Sequence, residues 1–262
     1  MDRIDRCRRR MRPLLGTFVE VAAAAPTPVQ ADAAITAAFG AVQRAQALWS
    51  VQDPASELSR LNRQPPGQPL ALSAATTRLL AIAQALMRAS AGAFDITDGA
   101  GAADALLIGP RWALRRQPLP LSLDGIAKGF AVDLGVAALR RHGAGAGWIN
   151  AGGDLRAFGD LTLPVQRRGA DGRLQALGGL RNAALATSWV PAEGEAAADF
   201  PGRIRSGGAT PAAPGVWTVI ARSAWRADAL TKVAACSPAP RRAEAVQRLG
   251  GRWIEAAMEA AA

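Results

Sequence analysis

The chain has 262 residues, half of them apolar and a fifth charged, which suits one large domain or two intimate ones with a sizeable core. Its net charge of +10 invites a nucleic-acid role, but the arginines are scattered, only 5% of residues are aromatic and there is no tyrosine to stack a base, so composition argues against one. A single histidine, His142, excludes a zinc cluster built on several histidines, and two cysteines, Cys7 and Cys236, make no disulfide framework.

Residues 1–12 are crowded with arginine and read as a basic N-terminal arm ahead of a single domain spanning 13–262. No apolar run of signal-peptide length follows and no stretch reaches transmembrane length, so the chain as written is expected to be cytoplasmic. A periplasmic location would require a misassigned start codon. Residues 14–21 alternate like a strand. After a Pro-containing turn, 31–49 carries apolar residues at 35, 39, 42 and 46, an amphipathic helix. Residues 50–62 read as a loop and a short capped helix, and 73–89 as a second long helix. The text from 92 to 120 is irregular, with Ala93-Phe94-Asp95-Ile96-Thr97-Asp98-Gly99 a polar turn beside apolar anchors. A helix to about 141 follows, closed by His142 before Gly143, then a strand at 147–150. Further strands are expected at 155–158, 161–166, 183–188, 216–221 and 252–257, with helices at 228–235 and 240–249. Helices and strands mix without a regular βα repeat, which predicts an α+β fold of mixed, largely antiparallel sheets flanked by helices.

Only two of the thirty-one basic residues are lysines, Lys128 and Lys232, which marks places where a compact ammonium does what a planar guanidinium cannot. Gly125 and Gly129 flank what is expected to be the first turn of a helix, and Lys128 lies in it. A cation at a helix N-terminus opposes the dipole, so an anion shared with the free backbone N–H groups is the natural account of it. Gly152-Gly153-Asp154 directly after a strand is either a tight turn or a place where a bulky ligand meets bare backbone. Asp228 is either an exposed helix cap paired with Lys232 four residues on, or a hard oxygen ligand for magnesium with Thr231 nearby. Asp95 with Thr97 fits an Asx turn, and Ser56 to Asn62 fits a helix cap.

In order along the chain, Leu-Gly-Thr-Phe-Val-Glu-Val (15–21), Ser-Glu-Leu-Ser-Arg-Leu-Asn (56–62), Gly-Ala-Phe-Asp-Ile-Thr (92–97), Asp-Gly-Ile-Ala-Lys-Gly-Phe-Ala-Val-Asp (124–133), Asn-Ala-Gly-Gly-Asp (150–154), Ala-Thr-Ser (186–188) and Ala-Asp-Ala-Leu-Thr (227–231) resemble the FAD:protein FMN transferases, the ApbE-like family. The resemblance runs from about residue 11 to 257 and implies an ApbE-like, T-fold-like architecture. It implies Mg2+-dependent transfer of the FMN half of FAD to a threonine of an acceptor flavoprotein, with release of AMP. It further implies catalytic roles for Asp228 and Lys128, metal ligation by Asp228, Thr231 and the Ala127 carbonyl, and a flavin and adenine pocket lined by Ser56, Asn62, Asp95, Thr97, Lys128, Gly152, Gly153, Asp154 and Thr187. The chain departs from the family pattern in three places. Arg203-Ile204-Arg205-Ser206-Gly207-Gly208 stands where the family carries His-Ile-x-Asp-Pro-x-Thr-Gly, Lys232 stands where the metal motif ends in threonine, and Leu15 where methionine is frequent. A flavin-binding or FAD-hydrolysing relative is the alternative these departures favour.

Overall fold

The structure is a computed structural model and describes residues 3–169, 172–193, 204 and 211–255. Its centre is a seven-stranded sheet with strand order β1-β2-β6-β7-β10-β11-β12. The strands are β1 (Arg8–Leu14), β2 (Thr17–Ala24), β6 (Ala146–Ala151), β7 (Asp154–Phe158), β10 (Ala184–Val190), β11 (Gly215–Ala221) and β12 (Gly251–Ile254), each antiparallel to its neighbour. A small sheet of β3 (Leu70–Ala71), β5 (Trp112–Arg115) and β4 (Leu106–Gly109), and a hairpin of β8 (Leu163–Arg168) and β9 (Leu174–Leu180), are the other strands among the described residues. The helices are α1 (Pro28–Trp49), α2 (Glu57–Arg63), α3 (Ala74–Ala89), α4 (Ala127–Arg141), α5 (Ala224–Cys236) and α6 (Arg242–Arg248). The α+β reading holds, and none of these helices is long and apolar enough to cross a membrane.

One face of the large sheet carries α1, α4 and α5. Ile35, Phe39 and Val42 of α1 and Val132, Val136 and Leu139 of α4 meet Val19, Val21, Ile149 and Ala186 of the strands in one buried cluster. The spacing of these helical positions makes a single apolar stripe on each helix. The opposite face is covered by the β8–β9 hairpin, with Trp148, Leu155 and Leu185 packed on Leu161, Val165 and Leu180. A third cluster, running from Leu58 and Leu61 of α2 through Phe94, Leu123 and Phe130 to Leu230 and Val233 of α5, joins α2 and α3 to the end of the sheet.

Helix starts follow the caps visible in the sequence. The Thr27 side chain accepts from the Gln30 N–H and Pro28 begins α1, while Ser56 and Ser73 cap α2 and α3 through the N–H groups of Ser59 and Thr76. Several expectations shift. Arg8 to Arg12, assigned to an arm, pair with β2 as the edge strand, where a run of exposed arginines keeps an open edge soluble. The stretch read as irregular holds β4 and β5, too short to show a pattern over four residues each. β9 lies in a Gly-containing segment with little alternation, and the final strand ends at Ile254. Most importantly, α5 begins at Ala224, so Asp228 sits one turn inside a helix rather than at its start.

Candidate active site

The N-termini of α4 and α5 lie side by side and each is capped by a carboxylate from the other helix. Neither has a side-chain cap from its own N-cap residue, Ile126 or Ser223. Instead Asp133, on α4, accepts the N–H groups of Ala224 and Trp225 at 3.0 Å each, and Asp228, on α5, accepts the Gly129 N–H at 3.0 Å. Arg156 of β7 pairs with Asp133 at 2.5 Å and ties this exchange to the sheet. Two helix dipoles are thereby satisfied by two carboxylates.

Such an arrangement requires close helices, and Gly129 provides the space. A Cβ there would stand 2.4 Å from the Ala224 carbonyl oxygen and 2.8 Å from the Trp225 Cα, backbone atoms with little freedom to yield. Gly129→Ala is expected to destabilise the protein by about 1–3 kcal/mol through overpacking and to loosen the Asp228 contact, as read by urea unfolding. An unchanged midpoint would contradict the packing.

Around this junction four charges converge. Lys128 Nζ lies 3.2 Å from Asp154 Oδ2, and Lys232 Nζ lies 2.5 Å from Asp228 Oδ1, with Asp154 and Asp228 almost fully buried. Asp154 reaches the site from the β6–β7 turn. Gly152 and Gly153 both have positive φ, +61° and +102°, and Asn150 Oδ1 accepts the Gly153 N–H at 2.9 Å. A two-residue loop with both residues left-handed matches the twist of a hairpin and demands glycine. A Cβ at Gly152 would also stand 2.6 Å from Thr17 Oγ1, whereas space opens beside Gly153.

Burial and the nearby Asp228 charge push the Asp154 carboxyl up to about 6, against the pull of Lys128 and Lys232. Burial alone would lower Lys128, but the charges of Asp154 and Asp228 outweigh it and hold its ammonium above the usual lysine range. Asp154 Oδ2 is buried without a hydrogen bond even though the ammonium is 3.2 Å away, so the contact is a charge pairing off the hydrogen-bond direction. Because the folded chain holds this proton up to about pH 6 and the unfolded chain releases it near 3.8, the favourable contribution of the protonated form is present at low pH and lost as pH rises through 6. Over that window the stability of the wild type relative to Asp154→Asn is expected to fall by about 3 kcal/mol, measured by urea unfolding at several pH values. A pH-independent difference would contradict the burial of an ionisable carboxyl.

The other expected residues divide into framework and remote groups. Asn62 grips the backbone of Leu121 from both sides, donating to its carbonyl at 2.8 Å and accepting its N–H at 2.9 Å. Asp95 accepts the Thr97 N–H and hydroxyl and the Gly101 N–H, the expected Asx turn, and the Ile96 carbonyl accepts the Ser122 N–H. Phe94 lies against Gly125, so these segments shape the loop that enters α4. Ser56 is buried as a cap of α2. Thr187 is not brought to the charges. Successive side chains alternate along β10, and Thr187 bonds Thr218 Oγ1 at 3.0 Å while its neighbour Ser188 faces α5 and shares a 2.7 Å hydrogen bond with Thr231. Ser188 and Asp133 were not singled out from the sequence. Ser188 meets Thr231 43 residues on and Asp133 caps a helix 91 residues on, and no local spacing announces either.

The model of the ApbE family matches residues 15–104 and 102–254. The chain belongs to the ApbE family. Comparison with curated protein sequences finds no match. Among solved structures the fold resembles the apo form of the Pseudomonas stutzeri flavinyl transferase ApbE, with 19% identity, a TM-score of 0.73, and 92% of this chain and 89% of that one covered. It resembles the flavin transferase ApbE of Vibrio cholerae at 19% identity and TM-score 0.75, over 95% of this chain and 97% of that one. The ApbE protein of Thermotoga maritima aligns at 19% identity and TM-score 0.77, over 94% and 93%. At this identity the structures establish the ApbE fold. The three departures fall unevenly on this ApbE chain: residues 203 and 205–208 lie outside those described, whereas Lys232 is inside the charged cluster.

Proposed function

We propose that this chain is a flavin transferase that takes FAD, moves its FMN half onto a threonine of an acceptor flavoprotein and releases AMP. The observation that supports it best is the placement of the Lys128 ammonium beside the open backbone at Gly153, which suits an anion at the ammonium and a planar ring over bare main chain. Family membership supplies the chemistry that this junction suits.

In the proposed reaction the threonine oxygen attacks the phosphorus on the FMN side. The anhydride bond to AMP breaks, and its electron pair leaves on the AMP phosphate. Catalysis of such a step is mainly positioning and charge neutralisation. Lys128 neutralises the pyrophosphate. Asp228, with one oxygen bound by the Gly129 N–H and the other by Lys232, positions α4 against α5. Asp154, near pKa 6 and 3.2 Å from the Lys128 ammonium, is the carboxylate assigned here to take the threonine proton.

The magnesium expected from the resemblance does not fit the donors present. Asp228 Oδ1 already meets an ammonium and Oδ2 an N–H, Thr231 Oγ1 donates to the Asp228 carbonyl at 2.7 Å, and the Ala127 carbonyl, in the first turn of α4, points along the helix toward the N–H four residues on. Among the described residues no group of three or more His, Cys, Asp or Glu side chains is placed to hold a metal. The mechanism therefore rests on the chain's own residues.

The proposal is tested by incubating the protein with FAD and a threonine-bearing acceptor and following both products by mass spectrometry. Addition of FMN to the acceptor with matching AMP is the expected result. AMP without attachment would make the protein an FAD hydrolase, and neither product despite FAD binding would leave a flavin-binding relative.

A further inference from the structure

Lys232 Nζ has three oxygen neighbours: Asp228 Oδ1 at 2.5 Å, the Asp228 carbonyl at 3.2 Å and Ser188 Oγ at 3.2 Å. An ammonium has three hydrogens to donate, and three acceptors surround it. The hydroxyls close the circuit. Ser188 accepts from Lys232 and donates to Thr231 Oγ1, and Thr231 donates to the Asp228 carbonyl at 2.7 Å. The stem runs past Gly125, where a Cβ would meet Lys232 Cε at an ordinary 3.4 Å and Phe94 more tightly at 3.2 Å. The lysine is thus built into the site on all sides, with its side chain 17% exposed.

A divalent ion bound to the same Asp228 oxygen at its usual distance of about 2.1 Å would press a second positive charge against this ammonium. Thr231 Oγ1 gives its hydrogen to the Asp228 carbonyl and accepts from Ser188, which leaves it one lone pair. We propose that the Lys232 ammonium is the resident cation of this site, a tethered replacement for a divalent metal, so that the protein engages the pyrophosphate of FAD without one. The second half of this statement rests on FAD being the substrate; the first does not.

Two measurements separate them. In the first, Mn2+ is titrated into the flavin-free protein and free Mn2+ is followed by electron paramagnetic resonance. The wild type is expected to bind no Mn2+ that excess Mg2+ displaces, and Lys232→Thr, which frees Asp228 Oδ1 and Ser188 Oγ, is expected to bind it at least about tenfold more tightly. Stoichiometric Mg2+-displaceable binding by the wild type would overturn the proposal. That result needs no variant, and if Lys232→Thr does not fold, Lys232→Gln makes the same comparison with a neutral head of similar length. In the second, FAD is titrated by flavin fluorescence with Mg2+ and with EDTA. Equal affinity is expected, and a loss of tenfold or more in EDTA would overturn the metal-free engagement. Absence of FAD binding in both conditions would sink the flavin reading itself, while the Mn2+ titration would still decide the role of Lys232.

Discussion

Asp228→Ala is expected to destabilise the fold by about 3–5 kcal/mol, because it leaves the partly buried Lys232 ammonium without its carboxylate and the buried Gly129 N–H without its acceptor. The sequence had suggested an exposed cap, whose loss costs only about 0.5–2 kcal/mol. Burial changes that expectation, since Asp228 is 1% exposed and one turn inside α5. Urea unfolding of Asp228→Ala, Lys232→Met and the double variant checks it. The double variant is expected to be less destabilised than the sum of the two, since neither charge is then left alone. A cost for Asp228→Ala below about 1 kcal/mol would show that the carboxylate is a surface cap after all.

Lys128→Met carries the second large effect, on ligand binding rather than on folding. A hydrogen bond to a charged group contributes about 1.5–3 kcal/mol, so loss of the ammonium is expected to weaken FAD binding about 10- to 150-fold. The fold should tolerate the change better than it tolerates Asp228→Ala. Asp154, already pushed up to about 6, can take a proton when its cation is gone. Flavin fluorescence titration beside an unfolding curve separates the two outcomes. Unaltered FAD affinity in a folded Lys128→Met protein would remove Lys128 from the site.

What the sequence revealed was local. Ser56 and Ser73 mark helix starts in the sequence because a cap and the N–H it accepts lie within three residues, whereas Thr27-Pro28, read as a turn ahead of a helix at 31, caps a helix that begins at Pro28. The Gly152-Gly153 pair suggested a tight turn or a bare-backbone approach, and it forms a two-residue turn with both residues left-handed. Lys128 and Asp154 were placed by ordered motifs, and they do meet. What stayed hidden depends on pairing across the fold. Asp133 and Asp228 exchange helix caps over more than ninety residues, and Ser188 faces Lys232 only because β10 lies beneath α5. Thr187 shows the same limit from the other side. Its neighbour reaches the cluster and it does not, since adjacent strand residues point to opposite faces. The edge strand β1 was masked by its arginines, whose charge suggested an arm while their exposed backbone completed a sheet.

The central claim is that the anion of the substrate sits where Lys128 meets the α4 N-terminus. A crystal structure of the protein with FAD, grown in EDTA, tests it most directly. The account predicts the pyrophosphate within hydrogen-bond reach of Lys128 Nζ, the flavin passing over Gly153 and Lys232 still bound to Asp228. A pyrophosphate located away from Lys128 would contradict it.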